Sequence, residues 1–164
     1  CMYYVNIFFI FSFIGFLFEN FINIFFNDNF NSGILYGPWT FIYGIGALLV
    51  VVLNKFLTQY HLKKWKEVLI FYVVITIFMT LVEFSGGMLI ETIFHRTYWD
   101  YTNMRFNYGK YICLEVSLLW GLLATAINYF VLPWVNRWIK KIPVWVSILF
   151  LVLFILDIVF TLIN

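Results

Sequence analysis

Apolar residues run in five long stretches along the chain, separated by short polar or basic pieces. The stretches extend from about Tyr3 to Phe26, Trp39 to Leu57, Val68 to Phe94, Gly109 to Trp134, and Val144 to Asn164. They are continuous rather than alternating with period two, which sets them apart from the strands of a membrane barrel. Each is long enough for the roughly 20 residues a helix needs to cross the hydrocarbon core. The pattern predicts an all-α fold: a polytopic membrane helix bundle of about five transmembrane helices, forming one transmembrane domain over residues 1–164. A polar-aromatic loop, His95 to Tyr108, joins helices 3 and 4. The third stretch exceeds a perpendicular span, so it either tilts or breaks at Gly86-Gly87. In the second, Gly44 and Gly46 let another backbone approach closely.

Composition agrees. The chain is 64% hydrophobic and only 11% charged, with mean hydropathy +0.94, more apolar side chain than a soluble domain of 164 residues can bury. The net charge of +2 is too small to argue for nucleic acid as a partner; the lipid bilayer is the partner that composition requires. Of the 10 basic residues, 7 fall in two connectors on one side: Lys55, Lys63, Lys64 and Lys66 between helices 2 and 3, and Arg137, Lys140 and Lys141 between helices 4 and 5. The positive-inside rule puts these connectors and the N-terminus in the cytoplasm. The C-terminus and loops 1–2 and 3–4 are then external, in a bacterial cytoplasmic membrane. The first stretch lacks a basic start and a small-residue cleavage site and is expected to stay as a helix.

Given that orientation, Glu19, Glu83, Glu91, Glu115 and Asp157 share the outer half of the membrane, beneath the loop that carries Trp99, Asp100 and Asn107. Carboxylates near a helix centre cost about 2.5–3.5 kcal/mol each on the insertion scale, so an intramembrane set of them points to function. Glu83 and Glu91 are separated by about 80° and about 12 Å on an unbroken helix, enough to line one cavity without touching. Oxygen ligands of this kind suit a hard cation, with carbonyls freed at Gly86-Gly87 completing the shell. They equally suit a proton relay or acid–base pair, or hydrogen bonds that merely hold helices together. The loop aromatics suit stacking or cation–π contact with a ligand, and equally an interfacial belt.

Other chemistry finds little support. His95 has no second histidine at metal-ligand spacing. Ser85, Ser117 and Cys113 lack a nucleophile motif and a placed base. Cys113 lies in an apolar run, which does not indicate a disulfide framework. A phosphate-binding P-loop is missing, so the chain does not hydrolyse ATP by that route.

Several pieces, in order, resemble the bacterial family of ABC-transporter permeases of type IV, also called CmpB-like. They are S-F-I-G-x-x-x-E at Ser12 to Glu19, G-x-L-x-G-P at Gly33 to Pro38, and I-Y-G-x-G-A-L at Ile42 to Leu48. Glu83 and Glu91 follow, then W-D-Y-T at Trp99 to Thr102, F-N at Phe106 and Asn107, I-C-L at Ile112 to Leu114, and S-x-x-W-G at Ser117 to Gly121. Phe16, Phe41, Tyr98 and the Lys110-Tyr111 pair depart from the family pattern; the last removes an arginine beside the glutamates and leaves Lys110 to supply charge one residue earlier. The resemblance implies a membrane subunit of a transport system working with an ATPase partner or as a homo-oligomer. It also singles out Glu19, Glu83, Glu91, Trp99, Asp100 and Asn107.

The leading reading is therefore a transport subunit that binds a small substrate or cation in an outward-facing cavity. Glu19, Glu83, Glu91 and Glu115 would line it and the loop carrying Trp99, Asp100 and Asn107 would cap it. No cofactor is implied beyond a possible bound cation of unknown identity, and no residue is assigned as catalytic. The rivals are a membrane-embedded enzyme acting on a lipid or lipid-linked substrate, and an accessory subunit with no site of its own.

Overall fold

The structure is a computed structural model that describes residues 2–26, 35–95, 97 and 99–163. Its elements are α1 (Met2–Phe26), α2 (Phe41–Thr58), α3 (Lys64–Phe94), β1 (Asn107–Tyr108), β2 (Ile112–Cys113), α4 (Leu114–Ala126), a π-helical turn (Ile127–Val131), α5 (Leu132–Ile139) and α6 (Val144–Ile163). Among the described residues, five helical stretches are long and apolar enough to cross a membrane: Met2–Phe21, Phe41–Thr58, Lys64–Ile93, Leu114–Ile139 and Val144–Ile163. The fold is an all-α membrane helix bundle. Most of the first linker, including Gly33, lies outside the described residues, as do Arg96 and Tyr98.

Two expectations change. The third helix does not break at Gly86-Gly87. It is continuous over 31 residues, roughly 46 Å at 1.5 Å per residue, so its length is taken up along an unbroken helix. No backbone carbonyls are released there, because the i→i−4 ladder runs through both glycines. The fourth helix starts at Leu114, not Gly109. Residues 109–113 instead turn back as a small antiparallel hairpin that pairs Asn107 with Cys113 and Tyr108 with Ile112. Gly109, at φ +65°, makes the turn in a backbone region that side-chain-bearing residues rarely enter.

The chain's 3 prolines mark helix ends or irregularities. Pro38 and Pro143 precede α2 and α6. Pro133 falls inside the fourth span and has no N–H for the helical ladder. Just before it the backbone widens into the π turn, where the Leu132 N–H reaches back five residues to the Ile127 carbonyl.

The chain divides into two compact units, Cys1–Leu48 with Trp134–Asn164, and Leu49–Pro133. In the first, Phe9, Leu35 and Trp39 form a buried core against Phe8, Leu151 and Phe154. Two polar pairs form inside it: Ser147 Oγ donates to Asn6 Oδ1 at 2.6 Å, and the Tyr3 hydroxyl donates to Asn136 Oδ1 at 2.8 Å. Gly44 packs against Ser12 and the Phe8 carbonyl, the close approach its size allows. In the second unit α3 packs along α4, and the β1–β2 hairpin sits against α3. Large apolar side chains stay exposed on every spanning helix, among them Ile155, Leu156, Val159 and Phe160 of α6. In hydrocarbon that exposure costs nothing, which is how a chain this apolar folds with a small interior.

Candidate functional site

On α3, Glu83, Gly87 and Glu91 succeed one another at intervals of four residues and so share a face. The two carboxylates flank a gap left by the missing glycine side chain. A Cβ at Gly87 would lie 2.7 Å from Tyr111 Cδ1 and 3.2 Å from Trp99 Cζ2, so the loop's aromatic rings occupy that gap. Trp99 is fixed there by its indole N–H, which donates to the Tyr111 carbonyl at 3.0 Å.

The loop then grips each carboxylate. Glu91 receives Lys110 Nζ on one oxygen at 2.5 Å and the Tyr111 hydroxyl on the other at 2.6 Å. Glu83 is buried, at 5% exposure, and its Oε1 accepts both the Tyr101 hydroxyl at 2.8 Å and the Trp120 indole N–H at 3.2 Å. Its Oε2 is also buried and makes no hydrogen bond among the described residues. The loop is braced from within as the Tyr101 N–H donates to the Lys110 carbonyl at 2.9 Å and the Leu114 N–H to the Phe106 carbonyl at 3.0 Å.

The remaining loop residues make local contacts. Asp100 accepts the Thr102 N–H at 2.8 Å and the Thr102 hydroxyl, an Asx-type turn that holds its carboxyl below the usual range. Asn107 Nδ2 donates to the Gly109 carbonyl at 2.9 Å, stabilising the hairpin turn. Glu115 lies in the first turn of α4, where a negative charge suits the helix dipole, and accepts the Cys113 thiol at 2.6 Å. Lys110 has its pKa raised, first by the hydrogen bond to Glu91; the Tyr111 hydroxyl is raised by the same carboxylate.

The model of the family described as "Putative ABC-transporter type IV" matches residues 6–162, nearly the whole chain. The chain belongs to this family. No curated protein and no solved structure matches it. A chain of the type IV ABC-transporter family with five membrane-compatible helices is a membrane protein.

In this family member, Glu83, Glu91, Glu115, Trp99, Asp100 and Asn107 all belong to the unit Leu49–Pro133, where α3, the loop leading into the hairpin, the hairpin and the start of α4 carry them. Glu19 belongs to the other unit, where its partners are Tyr43 and Thr40. Asp157 belongs there too. It gathers three donors from the segment before α2: the Tyr36 N–H at 3.2 Å, the Gly37 N–H at 2.9 Å and the Trp39 indole N–H at 2.6 Å. No group of three or more His, Cys, Asp or Glu side chains at metal-binding distance occurs among the described residues. The site residues that sequence reasoning missed are Tyr101, Tyr111 and Trp120, each holding a glutamate. Their signal was sequence proximity to the loop motifs, but an aromatic ring near a membrane interface is too common to single out.

Proposed function

We propose that the chain is an integral membrane subunit of an ABC-type transport system, and that it binds a small substrate or cation at Glu83 beneath the hairpin. The observation that supports this reading is the unequal treatment of the Glu83 carboxylate. One oxygen takes two donors; the other is buried and takes none among the described residues. A buried polar atom without a partner is costly, and a buried charge more so. The unpaired oxygen therefore suits a bound cation, a ligand donor or a transported proton. Glu91, about one third exposed and held by Lys110, stands two turns along the same helix at the loop surface, so the hairpin is the natural gate to Glu83.

By the positive-inside rule the hairpin faces outward and the basic connectors face the cytoplasm. An ATPase partner would dock on those connectors, around residues 55–66 and 137–141. The test uses the full-length protein in lipid nanodiscs. Trp fluorescence is titrated with sodium, potassium, magnesium and tetraethylammonium chlorides, and separately with acid. At least one titrant should give a saturable change that Glu83→Gln abolishes and Glu115→Gln retains. If Glu83→Gln and Glu91→Gln both respond as the parent does, the binding assignment fails. Co-purification of an ATPase in mild detergent supports the transport assignment, and its repeated absence from native membranes counts against it.

A further inference from the structure

A second, independent site lies in the same unit, built around the π turn. A groove of about 760 Å³ is lined by the end of α2, the first turn of α3 and the turn Ile127–Val131. Asn128, at 4% exposure, stands in its wall; its Nδ2 donates to Asn54 Oδ1 at 3.2 Å, while its Oδ1 has no hydrogen-bond partner among the described residues. Beside it, Glu67 Oε1 accepts the Tyr129 hydroxyl at 3.0 Å and Lys64 Nζ at 3.0 Å. Lys64 Nζ also lies 4.3 Å from the centre of the Tyr129 ring. Leu122 and Phe130, both exposed and apolar, complete the wall.

The polar part of this groove is mixed in sign. It offers acceptors in Asn128 and Glu67 and an ammonium in Lys64, with Lys63 and Lys66 beside it in sequence. We propose that the groove binds a membrane lipid whose headgroup joins a primary ammonium to a phosphate. The ammonium N–H groups donate to Glu67 and to the unused Asn128 oxygen. Lys64 turns from Glu67 to the phosphate, and the acyl chains lie along Leu122 and Phe130. Two other common headgroups fit less well. A trimethylated ammonium has no N–H to give the amide oxygen. A headgroup that is only anionic leaves Glu67 without its cation once Lys64 has turned to the phosphate.

The test is competitive lipid retention. The full chain is reconstituted in nanodiscs holding equal phosphatidylethanolamine, phosphatidylcholine and phosphatidylglycerol, then released and weighed by native mass spectrometry. Phosphatidylethanolamine should be retained about tenfold over each of the others, equivalent to about 1.4 kcal/mol. Glu67→Gln and Asn128→Leu should each reduce that ratio to about twofold or less, with helicity unchanged by circular dichroism. Glu67→Gln, at a partly exposed position, keeps the test open if Asn128→Leu fails to fold. Equal retention of phosphatidylcholine overturns the requirement for an N–H donor. Preference for phosphatidylglycerol reduces the groove to a lysine patch and overturns the proposal. Displacement of bound lipid by millimolar free phosphoethanolamine overturns the lipid as the source of the headgroup. Unchanged preference in both variants overturns the location.

Discussion

Lys110 Nζ lies 2.5 Å from Glu91 Oε1, while its neighbour Tyr111 donates to the other oxygen of the same carboxylate. Two consecutive hairpin residues thus clasp one glutamate of α3, and the clasp docks the loop on the helix. Lys110 and Glu91 are each about one third exposed, so the pair is screened by salt and fixes geometry more than it stabilises the fold.

The clasp should release at high pH. The pKa values of Lys110 and Tyr111 are raised by Glu91, so both hold their protons more tightly docked than undocked. A raised value contributes stability that is complete below the undocked pKa and lost as pH climbs through the docked one. Hydrogen exchange over residues 99–113, corrected for intrinsic rate, should therefore hold steady between about pH 6 and 9. It should accelerate above about pH 10, where free lysine and tyrosine begin to titrate. Lys110→Met should already raise exchange at pH 7 and remove the lysine part of the alkaline rise. Asp100 works in the opposite sense: its lowered value makes its turn present above about pH 4 and lost as pH falls through the docked pKa.

Gly87 gives a steric version of the same docking. Alanine is better than glycine in a helix interior by about 1 kcal/mol. Here, however, its methyl would press on Tyr111 and Trp99, and overpacking of this kind costs about 1–3 kcal/mol. Gly87→Ala should thus leave α3 intact, shift the hairpin and destabilise its docking by up to about 2 kcal/mol. Adding Tyr111→Ala should restore room for the methyl. The pair is read by tryptophan emission and by hydrogen exchange at residues 99–113; a shift confined to α3 would contradict the assignment.

Sequence reading located what depends on composition and missed what depends on register. Five spans were visible because each apolar run exceeds the thickness of a membrane core. Glu83 and Glu91 stood out because charge is rare in such runs, and Lys110 because it neighbours the position where the family carries an arginine. The hairpin was missed because Gly109 to Cys113 is apolar enough to read as helix, and only the turn at Gly109 betrays it. The groove residues were missed because Glu67 looks like part of a basic connector, while Asn54, Asn128 and Tyr129 are single polar positions in separate helices. Pro133 was the available clue: a proline inside an apolar span forces the preceding turn to depart from α-helix. Asp100 and Asn107, singled out as ligand groups, also hold turns within the loop.

Asp157 should prove to be a staple of the unit formed by Cys1–Leu48 and Trp134–Asn164. It accepts the Tyr36 and Gly37 backbone donors and the indole of Trp39, and Trp39 belongs to the buried core. Asp157→Ala strands that indole, at a cost of about 1–3 kcal/mol. Asp157→Asn keeps one acceptor oxygen and should cost less. Titration into denaturing mixed micelles, followed by far-ultraviolet circular dichroism, should rank the proteins parent, Asn, then Ala. Equal midpoints for Ala and the parent would show that Asp157 is free for another role.

The packing of α3 on α4 should turn on Gly121. A Cβ there would overlap the Thr76 hydroxyl and lie 3.2 Å from Tyr72 Cε2. Thr76 has little freedom to move aside: it is β-branched, and its hydroxyl donates to the Tyr72 carbonyl at 2.7 Å. Gly121→Ala should therefore destabilise the unit by about 1–3 kcal/mol even though alanine is the better helix former. Thr76→Ala alone gives up a hydroxyl bond to a carbonyl already inside a helix, a small loss. Combined with Gly121→Ala it removes the atom the methyl strikes, so the double variant should be more stable than Gly121→Ala alone. The two changes should couple by about 1 kcal/mol or more in a double-mutant cycle on micelle unfolding midpoints. Strict additivity would mean that the glycine is there for a reason other than its contact with Thr76.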